Sequence, residues 1–222
     1  MLIDLKKIQE SKHILIVVKD TTFANASAFY SYILTLHKKV SLYKSEDISN
    51  RVAFLPWYDK LRDTKLSSAA YTLSMESDTQ QLYAFFKMHE IKINKKMATA
   101  LYMGLLEEYK NFTTNACDGI TFAVASELIA LGAEYKICRE YYLRRVPLAI
   151  WRLKMSLYES MTLSEDARSA SLFISDEILK ASGASLENAI DILNDALNLV
   201  HVRKATLYKS DDNNKIIKEI RT

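Results

Sequence analysis

The chain has 222 residues, of which 49% are hydrophobic and 26% charged, so it is long enough to bury a core as one large domain or two small ones. Its 30 basic and 27 acidic residues leave a net charge of +3, which does not by itself mark a nucleic-acid-binding protein. The chain contains only 4 glycines and 2 prolines, a scarcity that favours long helices and argues against a turn-rich all-β fold.

The N-terminal residues predict the opening of an α/β domain. Leu2 to Glu10 has the spacing of a short amphipathic helix, and residues 13–18 form an apolar, β-branched run typical of a strand buried on both faces. Asn25 is then a candidate N-cap for a helix reaching about Lys38, and residues 40–43 predict a second strand. This β-loop-α-β order is typical of a doubly wound parallel sheet.

The middle of the chain is predicted to be mostly helical. Residues 45–77 give a weaker pattern, which indicates a short helix near 52–61 and a strand at 69–75. Asn94 is a candidate N-cap, and Pro147 suits a first helical turn. The predicted helices that follow span residues 79–89, 95–109, 119–131, 134–144 and 147–160.

The pattern changes after Leu163. A strand is predicted at 168–174, and two helices, separated by Gly183, are predicted at 176–181 and 186–199. Two alternating segments, 202–208 and 215–220, flank a Ser-Asp-Asp-Asn-Asn turn and predict a terminal β-hairpin. We therefore expect two parts: a reduced α/β domain at 1–162, and a small α+β region at 163–222 that ends in the hairpin.

Several scaffold segments resemble those of a known family. The first strand, then His37 to Tyr43 and Phe54-Leu-Pro56, are similar to the start of DHH phosphoesterases, most closely the RecJ-like oligoribonucleases and pAp phosphatases of the NrnA type. Further segments also resemble the family, the last of them its associated C-terminal domain: Ile91 to Leu106, Thr113 to Ala133, Tyr142 to Ala149 and Leu172 to Leu179. The resemblance covers most of the chain but contains no catalytic signature.

The resemblance implies hydrolysis of phosphoesters with two divalent metals, usually Mn²⁺, held by Asp and His clusters. The family's first motif is a His followed by Asp-x-Asp after the first strand. Here the matching loop carries Lys19 at the histidine position, and Asp20 is its only carboxylate. A lysine there would add positive charge where two cations should bind.

The other metal-binding motifs are also missing from the sequence. No Asp-His-His occurs between Pro56 and Gln80, and Asp59, Asp63 and Asp78 are interpreted as solvated surface residues. At the family's fourth motif the aspartate position carries a glutamate, Glu108, for which a surface position at a helix end is favoured. The Gly-Gly-Gly-His substrate loop is absent as well. We therefore expect no catalytic residue and no metal site, with Asp20 and Glu108 as weak remnants.

A basic region offers a different kind of site. It contains the densest cluster of cations in the chain, with three aromatic residues among them: Arg139, Arg144, Arg145, Arg152 and Lys154, with Tyr141, Tyr142 and Trp151. Such a set could contact a phosphate backbone and stack bases, although a solvated helix face is favoured by the low net charge. Leu148, Trp151 and Met155 form an apolar stripe that suits either the core or a subunit contact.

The sequence thus predicts a non-catalytic DHH-like protein that acts by binding a protein or a nucleotide, without a cofactor. The alternative is a Mn²⁺-dependent phosphoesterase acting on short oligonucleotides, pAp or cyclic dinucleotides. A protein partner or a homo-oligomer is expected, nucleotide or RNA binding is a further option, and no membrane association is expected. Cys117 and Cys138 form no CxxC motif, and no signal peptide or membrane-length apolar run occurs, so a cytoplasmic location is expected.

Overall fold

The computed structural model describes residues 3–66, 69–76, 78–144 and 146–221, apart from the side chain of residue 144. The chain divides into two units, Met1–Arg145 and Val146–Thr222, each with its own apolar core. No helix in this described part of the chain is long and apolar enough to cross a membrane.

A parallel four-stranded sheet organises the first unit. Its strands follow the order β3-β2-β1-β4 and comprise β1 His13–Val18, β2 Lys39–Lys44, β3 Leu61–Arg62 and β4 Tyr71–Ser74. The central strand β1 is almost entirely buried, as its unbroken apolar run predicts.

Helices enclose this sheet. They comprise α1 Leu5–Glu10, α2 Phe23–Thr35, α3 Thr79–Met88, α4 Lys95–Glu108, α5 Gly119–Ala130 and α6 Tyr135–Arg144. Helix α4 lies at the centre of the unit, where it packs against α2, α3, α5 and α6, and every residue from Met97 to Leu106 is buried. Asn94 caps α4 as predicted, because its side chain accepts a hydrogen bond from the Met97 N–H.

Two local predictions are wrong. Asn25 does not cap α2, which begins at Phe23 after a 3₁₀ turn; it lies inside the helix, where its Nδ2 donates to the Glu76 carbonyl at 3.1 Å. The helix predicted near residues 52–61 is replaced by two 3₁₀ turns, Asn50–Val52 and Tyr58–Lys60. Trp57, between them, has a φ of 72°, which is incompatible with a continuous right-handed helix.

The second unit is a small α+β structure. Its sheet follows the order β5-β6-β7-β8, with β6 and β7 parallel and the two outer pairs antiparallel. Gly183 ends α8 with a φ of 74°, a left-handed conformation that glycine adopts without a Cβ clash. Its elements are α7 Leu148–Glu159, β5 Thr162–Leu163, β6 Ser169–Ile174, α8 Asp176–Ser182, α9 Leu186–Leu193, β7 Lys204–Lys209 and β8 Lys215–Arg221.

The predicted fold class is confirmed: a reduced parallel α/β sheet with many helices is followed by an α+β region ending in the β7-β8 hairpin. The sequence pattern places the domain boundary near residues 161–167, whereas the division of the chain into two compact units falls after residue 145. The difference lies in α7, whose Leu153 and Leu157 are buried in the core of the second unit.

Candidate functional site

Ligands of open parallel sheets bind beyond the carboxyl ends of the strands, so this edge of the first sheet is the candidate site. After β1 the chain continues through Lys19 into a 3₁₀ turn, Asp20–Thr22, which precedes α2. Lys19 is exposed, and its backbone N–H donates to the Thr22 Oγ1 at 2.9 Å. The loop that would carry the family's first motif is therefore well ordered by its own hydrogen bonds.

Asp20 connects this loop to the segment after β2. Its Oδ1 accepts a hydrogen bond from the Ser49 N–H at 2.7 Å, and its own N–H donates to the Glu46 Oε1 at 3.0 Å. A carboxylate that accepts a backbone N–H is held in one orientation by that bond. Asp20 therefore stabilises the contact between the turn after β1 and the segment after β2.

Glu108, the second predicted remnant, lies exposed at the end of α4. Its Oε2 accepts a hydrogen bond from the Thr79 N–H at 2.9 Å, which satisfies one of the free donors at the start of α3. Desolvation raises the pKa of Glu108, while the hydrogen bonds with Thr79 act in the opposite direction. The surface position at a helix end that the sequence favours matches this geometry.

The neighbouring residue, Glu107, was not singled out by the sequence. Its Oε2 is buried and has no hydrogen-bond partner among the described residues. The pKa of Glu107 is raised from 4.5 to about 8, mainly because the carboxyl is buried and also because the charge of Asp20 disfavours ionisation; Arg51 opposes both effects. The structure therefore brings Glu107, rather than Glu108, into the electrostatic environment of Asp20.

The sequence carries little signal that could have distinguished the two glutamates. Adjacent residues point about 100° apart around a helix axis. In an amphipathic helix, the spacing of the apolar residues shows which face is buried. In α4 the ten residues before Glu107 are all buried, so no polar face indicates which of the two glutamates points inward.

Arg51 supplies a cation near Glu107. It lies in the 3₁₀ turn after β2, and its Nε is buried without a hydrogen-bond partner in the part of the chain that the structure describes. Its Cζ lies 5.1 Å from the centre of the Tyr142 ring, so the aromatic face provides part of the stabilisation that water would otherwise give.

The three aspartates interpreted as surface residues form local contacts. Asp63 pairs with Lys44 at 2.9 Å, and Asp59 pairs with Lys60 at the same distance. Asp78 caps α3 by accepting a hydrogen bond from the Gln81 N–H at 2.8 Å. Each carboxylate therefore has a structural partner.

The donor set does not fit the family's two-metal centre. Paired hard cations need several carboxylate and imidazole ligands gathered at one point. Within residues 3–66, 69–76, 78–144 and 146–221, no group of three or more His, Cys, Asp or Glu side chains is placed to hold a metal. Lys19 and Arg51 add positive charge at the same edge of the sheet.

The predicted basic region is divided between the two units. Arg139 is exposed on α6 in the first unit, whereas Arg152 is exposed on α7 in the second. Lys154 pairs with Asp195 at 2.8 Å. Arg145 and the side chain of Arg144 lie outside the described residues.

The aromatic residues of that region also have separate surroundings. The Tyr141 ring lies 4.4 Å from the Phe54 ring, centre to centre, and the Tyr142 ring faces Arg51. Trp151 is 58% exposed and, together with the exposed Leu148 and Met155, forms the predicted apolar stripe on α7. The stripe is therefore not part of the core of its unit.

The chain is similar to known proteins in its fold and not in its sequence. No family model and no curated protein sequence matches the chain. An exopolyphosphatase-related protein from Bacteroides fragilis superposes with a TM-score of 0.72 at 12% identity, over 96% of this chain and 79% of that one. A putative family II inorganic pyrophosphatase from Methanococcus jannaschii reaches a TM-score of only 0.43 at 9% identity, over 89% of this chain and 83% of that one. The chain therefore shares the fold of the exopolyphosphatase-related protein.

Proposed function

We propose that this protein is a non-catalytic member of the DHH phosphoesterase group, of the RecJ-like or NrnA type, and that it acts by binding a nucleotide or a protein. The proposal rests on one observation: both carboxylates that could be remnants of a metal site accept hydrogen bonds from backbone N–H groups of other segments. Asp20 accepts the Ser49 N–H, and Glu108 accepts the Thr79 N–H.

The physical reason is a competition for the same oxygen atoms. A carboxylate that binds a divalent metal presents its lone pairs to the ion, and the cluster must overcome the mutual repulsion of its charges. Here the Asp20 Oδ1 is engaged by a backbone N–H, and Lys19 stands where the family has a histidine. Metal binding would have to break the loop contact and overcome the added positive charge.

The test is turnover by the purified chain with Mn²⁺ and three substrates: pAp, a short oligoribonucleotide and a cyclic dinucleotide. We expect saturable binding of one of these ligands, or of a protein partner, without hydrolysis. Mn²⁺-dependent hydrolysis that Asp20→Ala abolishes would overturn the proposal. The matched control is Asp47→Ala, which removes an exposed carboxylate from the segment after β2.

The alternative function is that of a Mn²⁺-dependent phosphoesterase with a rearranged site. The observation in its favour is the buried Glu107 carboxyl close to Asp20, because acidic groups with raised pKa values are common at catalytic sites. In that case Glu107→Gln would reduce turnover at least about 100-fold. The same substitution at Glu108, which lies exposed, would reduce it far less.

A protein partner or a second copy of the chain would suit the exposed stripe of Leu148, Trp151 and Met155 on α7. Large aromatic and methionine side chains are enriched at such contacts. Salt-sensitive RNA binding, through Arg139 in the first unit or through Arg152 in the second, is a further proposal. The free thiols of Cys117 and Cys138 suit a reducing compartment, so a cytoplasmic location belongs to the same proposal.

A further inference from the structure

The first unit contains a polar pocket that is separate from the carboxyl edge of its sheet. The pocket has a volume of about 330 Å³ and lies against the first half of β2, at Val40 and Ser41, and against the beginning of β3. Because β2 and β3 are parallel, these positions lie toward the amino edge of the sheet. Asp20 and Glu107 are therefore not part of its lining.

Positive charge dominates the lining of this pocket. Lys60 and Arg62 contribute two cations, and Asp59 is the single acidic residue along its described lining. Asp59 pairs with Lys60 at 2.9 Å. Arg62 forms no ion pair with any described residue, so its charge is left uncompensated.

The side chain of Tyr30 also lines the pocket. Tyr30 on α2 is only 8% exposed and lines the cavity, yet its hydroxyl has no hydrogen-bond partner among the residues that the structure describes. Lys60, Arg62 and Asp59 all influence its ionisation, which places the hydroxyl close to the charged groups of the lining. Burial raises the pKa of Tyr30, so the group remains a neutral O–H donor at physiological pH.

Side-chain donors that line a pocket and have no partner within the protein are available to the oxygen atoms of a ligand. The Tyr30 hydroxyl and the Arg62 guanidinium are both donors, and Lys60 adds ammonium hydrogens. A guanidinium presents its donors in a planar fork that matches the oxygens of a phosphoryl group. The ligand that complements this lining is therefore a hydrogen-bond acceptor with negative charge.

We propose that this pocket binds a phosphoryl group, through charge from Arg62 and Lys60 and a hydrogen bond from the Tyr30 hydroxyl. The pocket volume of about 330 Å³ is close to the smallest volume of typical ligand pockets, about 300 Å³. The ligand should therefore be small: inorganic phosphate or a small phosphate monoester. The site is independent of the carboxyl edge, and it would exist whether or not the protein has catalytic activity.

The experiment is isothermal titration calorimetry of the full chain with inorganic phosphate and, separately, with glycerol 3-phosphate. We expect saturable binding of one or both, weakened at least about 10-fold by Arg62→Gln and about 3- to 10-fold by Tyr30→Phe. Tighter binding of glycerol 3-phosphate would identify a phosphate ester as the ligand, and equal or tighter binding of phosphate would identify the free ion. Both of these results support the proposal.

The control is Lys6→Gln, which removes one exposed positive charge far along the chain from the pocket-lining residues. If Lys6→Gln weakens binding as much as Arg62→Gln, the interaction is non-specific and the proposal fails. It also fails if neither anion binds, or if Lys19→Gln abolishes binding while Arg62→Gln leaves it intact. Should Tyr30→Phe not fold, Arg62→Gln alone decides the result, because Arg62 is exposed and its replacement leaves the core unchanged.

Discussion

Asp20, in the turn after β1, acts electrostatically on the buried carboxyl of Glu107 at the end of α4 and raises its pKa. Burial is the larger cause, and together the two effects raise the pKa of Glu107 to about 8, against the opposing charge of Arg51. Cys138 on α6 also lies within the electrostatic range of Glu107. The end of α4 is therefore sensitive to pH in the range where most surface carboxylates no longer titrate.

The first prediction concerns stability as a function of pH. The pKa of Glu107 is about 8 in the folded chain and 4.5 is its ordinary value, so the folded state binds this proton more tightly. The free energy of unfolding should therefore fall as the pH rises from about 4.5 to about 8 and then level off. The expected loss is on the order of 2–4 kcal/mol, measured by urea unfolding at several pH values.

Glu107→Gln should flatten this dependence, because the amide does not titrate. Asp20→Asn should shift it to lower pH, because it removes the negative charge that opposes ionisation of Glu107. Glu10→Gln, at an exposed position on α1, is the control and should leave the curve unchanged. A wild-type stability that is constant between pH 5 and 8 would contradict the assignment of the raised pKa to Glu107.

The second prediction concerns the packing of α4. A Cβ at Gly104 would lie 2.6 Å from the Thr79 Oγ1 and 2.8 Å from the Asn25 Oδ1, two atoms that share a buried hydrogen bond of 3.0 Å. Gly104→Ala should therefore lower the free energy of unfolding by about 2–3 kcal/mol, as measured by chemical denaturation.

Gly119→Ala is the matched control for that substitution. Gly119 begins α5, and a Cβ there would meet no atom within 4 Å. Alanine has the higher helix propensity, so this variant should be unchanged or more stable by up to about 1 kcal/mol. Equal effects of the two substitutions would show that the contact between Asn25 and Thr79 is not as tight as its geometry indicates.

The third prediction concerns the two thiols. Cys138 is fully buried, its Sγ donates to the Thr99 carbonyl at 3.6 Å, and burial raises its pKa to about 12. Cys117 is only partly buried. Because the thiolate is the reactive form, iodoacetamide at pH 8 should modify Cys117 at least about 100-fold faster than Cys138.

Mass spectrometry of the digested protein would measure the two rates. In denaturing urea the rates should become similar, because both thiols are then exposed. Fast modification of Cys138 under native conditions would mean that α6 opens readily from α4.

Local patterns in the sequence determined most of the fold. The apolar run of β1 requires burial on both faces, and alternating residues around a polar turn require a hairpin such as β7-β8. Asn94 and Gly183 mark a helix start and a helix end because their backbone and side-chain preferences act over only a few residues. These features depend on neighbouring residues, so the sequence alone is sufficient to predict them.

Only the tertiary structure decided which polar residues meet. Asn25 bonds with Thr79, 54 positions away, and Asp20 accepts the Ser49 N–H, 29 positions away. Which of Glu107 and Glu108 has the buried carboxyl depended on the rotation of α4 about its axis, and the central residues of that helix are all buried. Hydrogen bonding and burial between distant segments depend on how the elements pack, and no pattern within one segment records that arrangement.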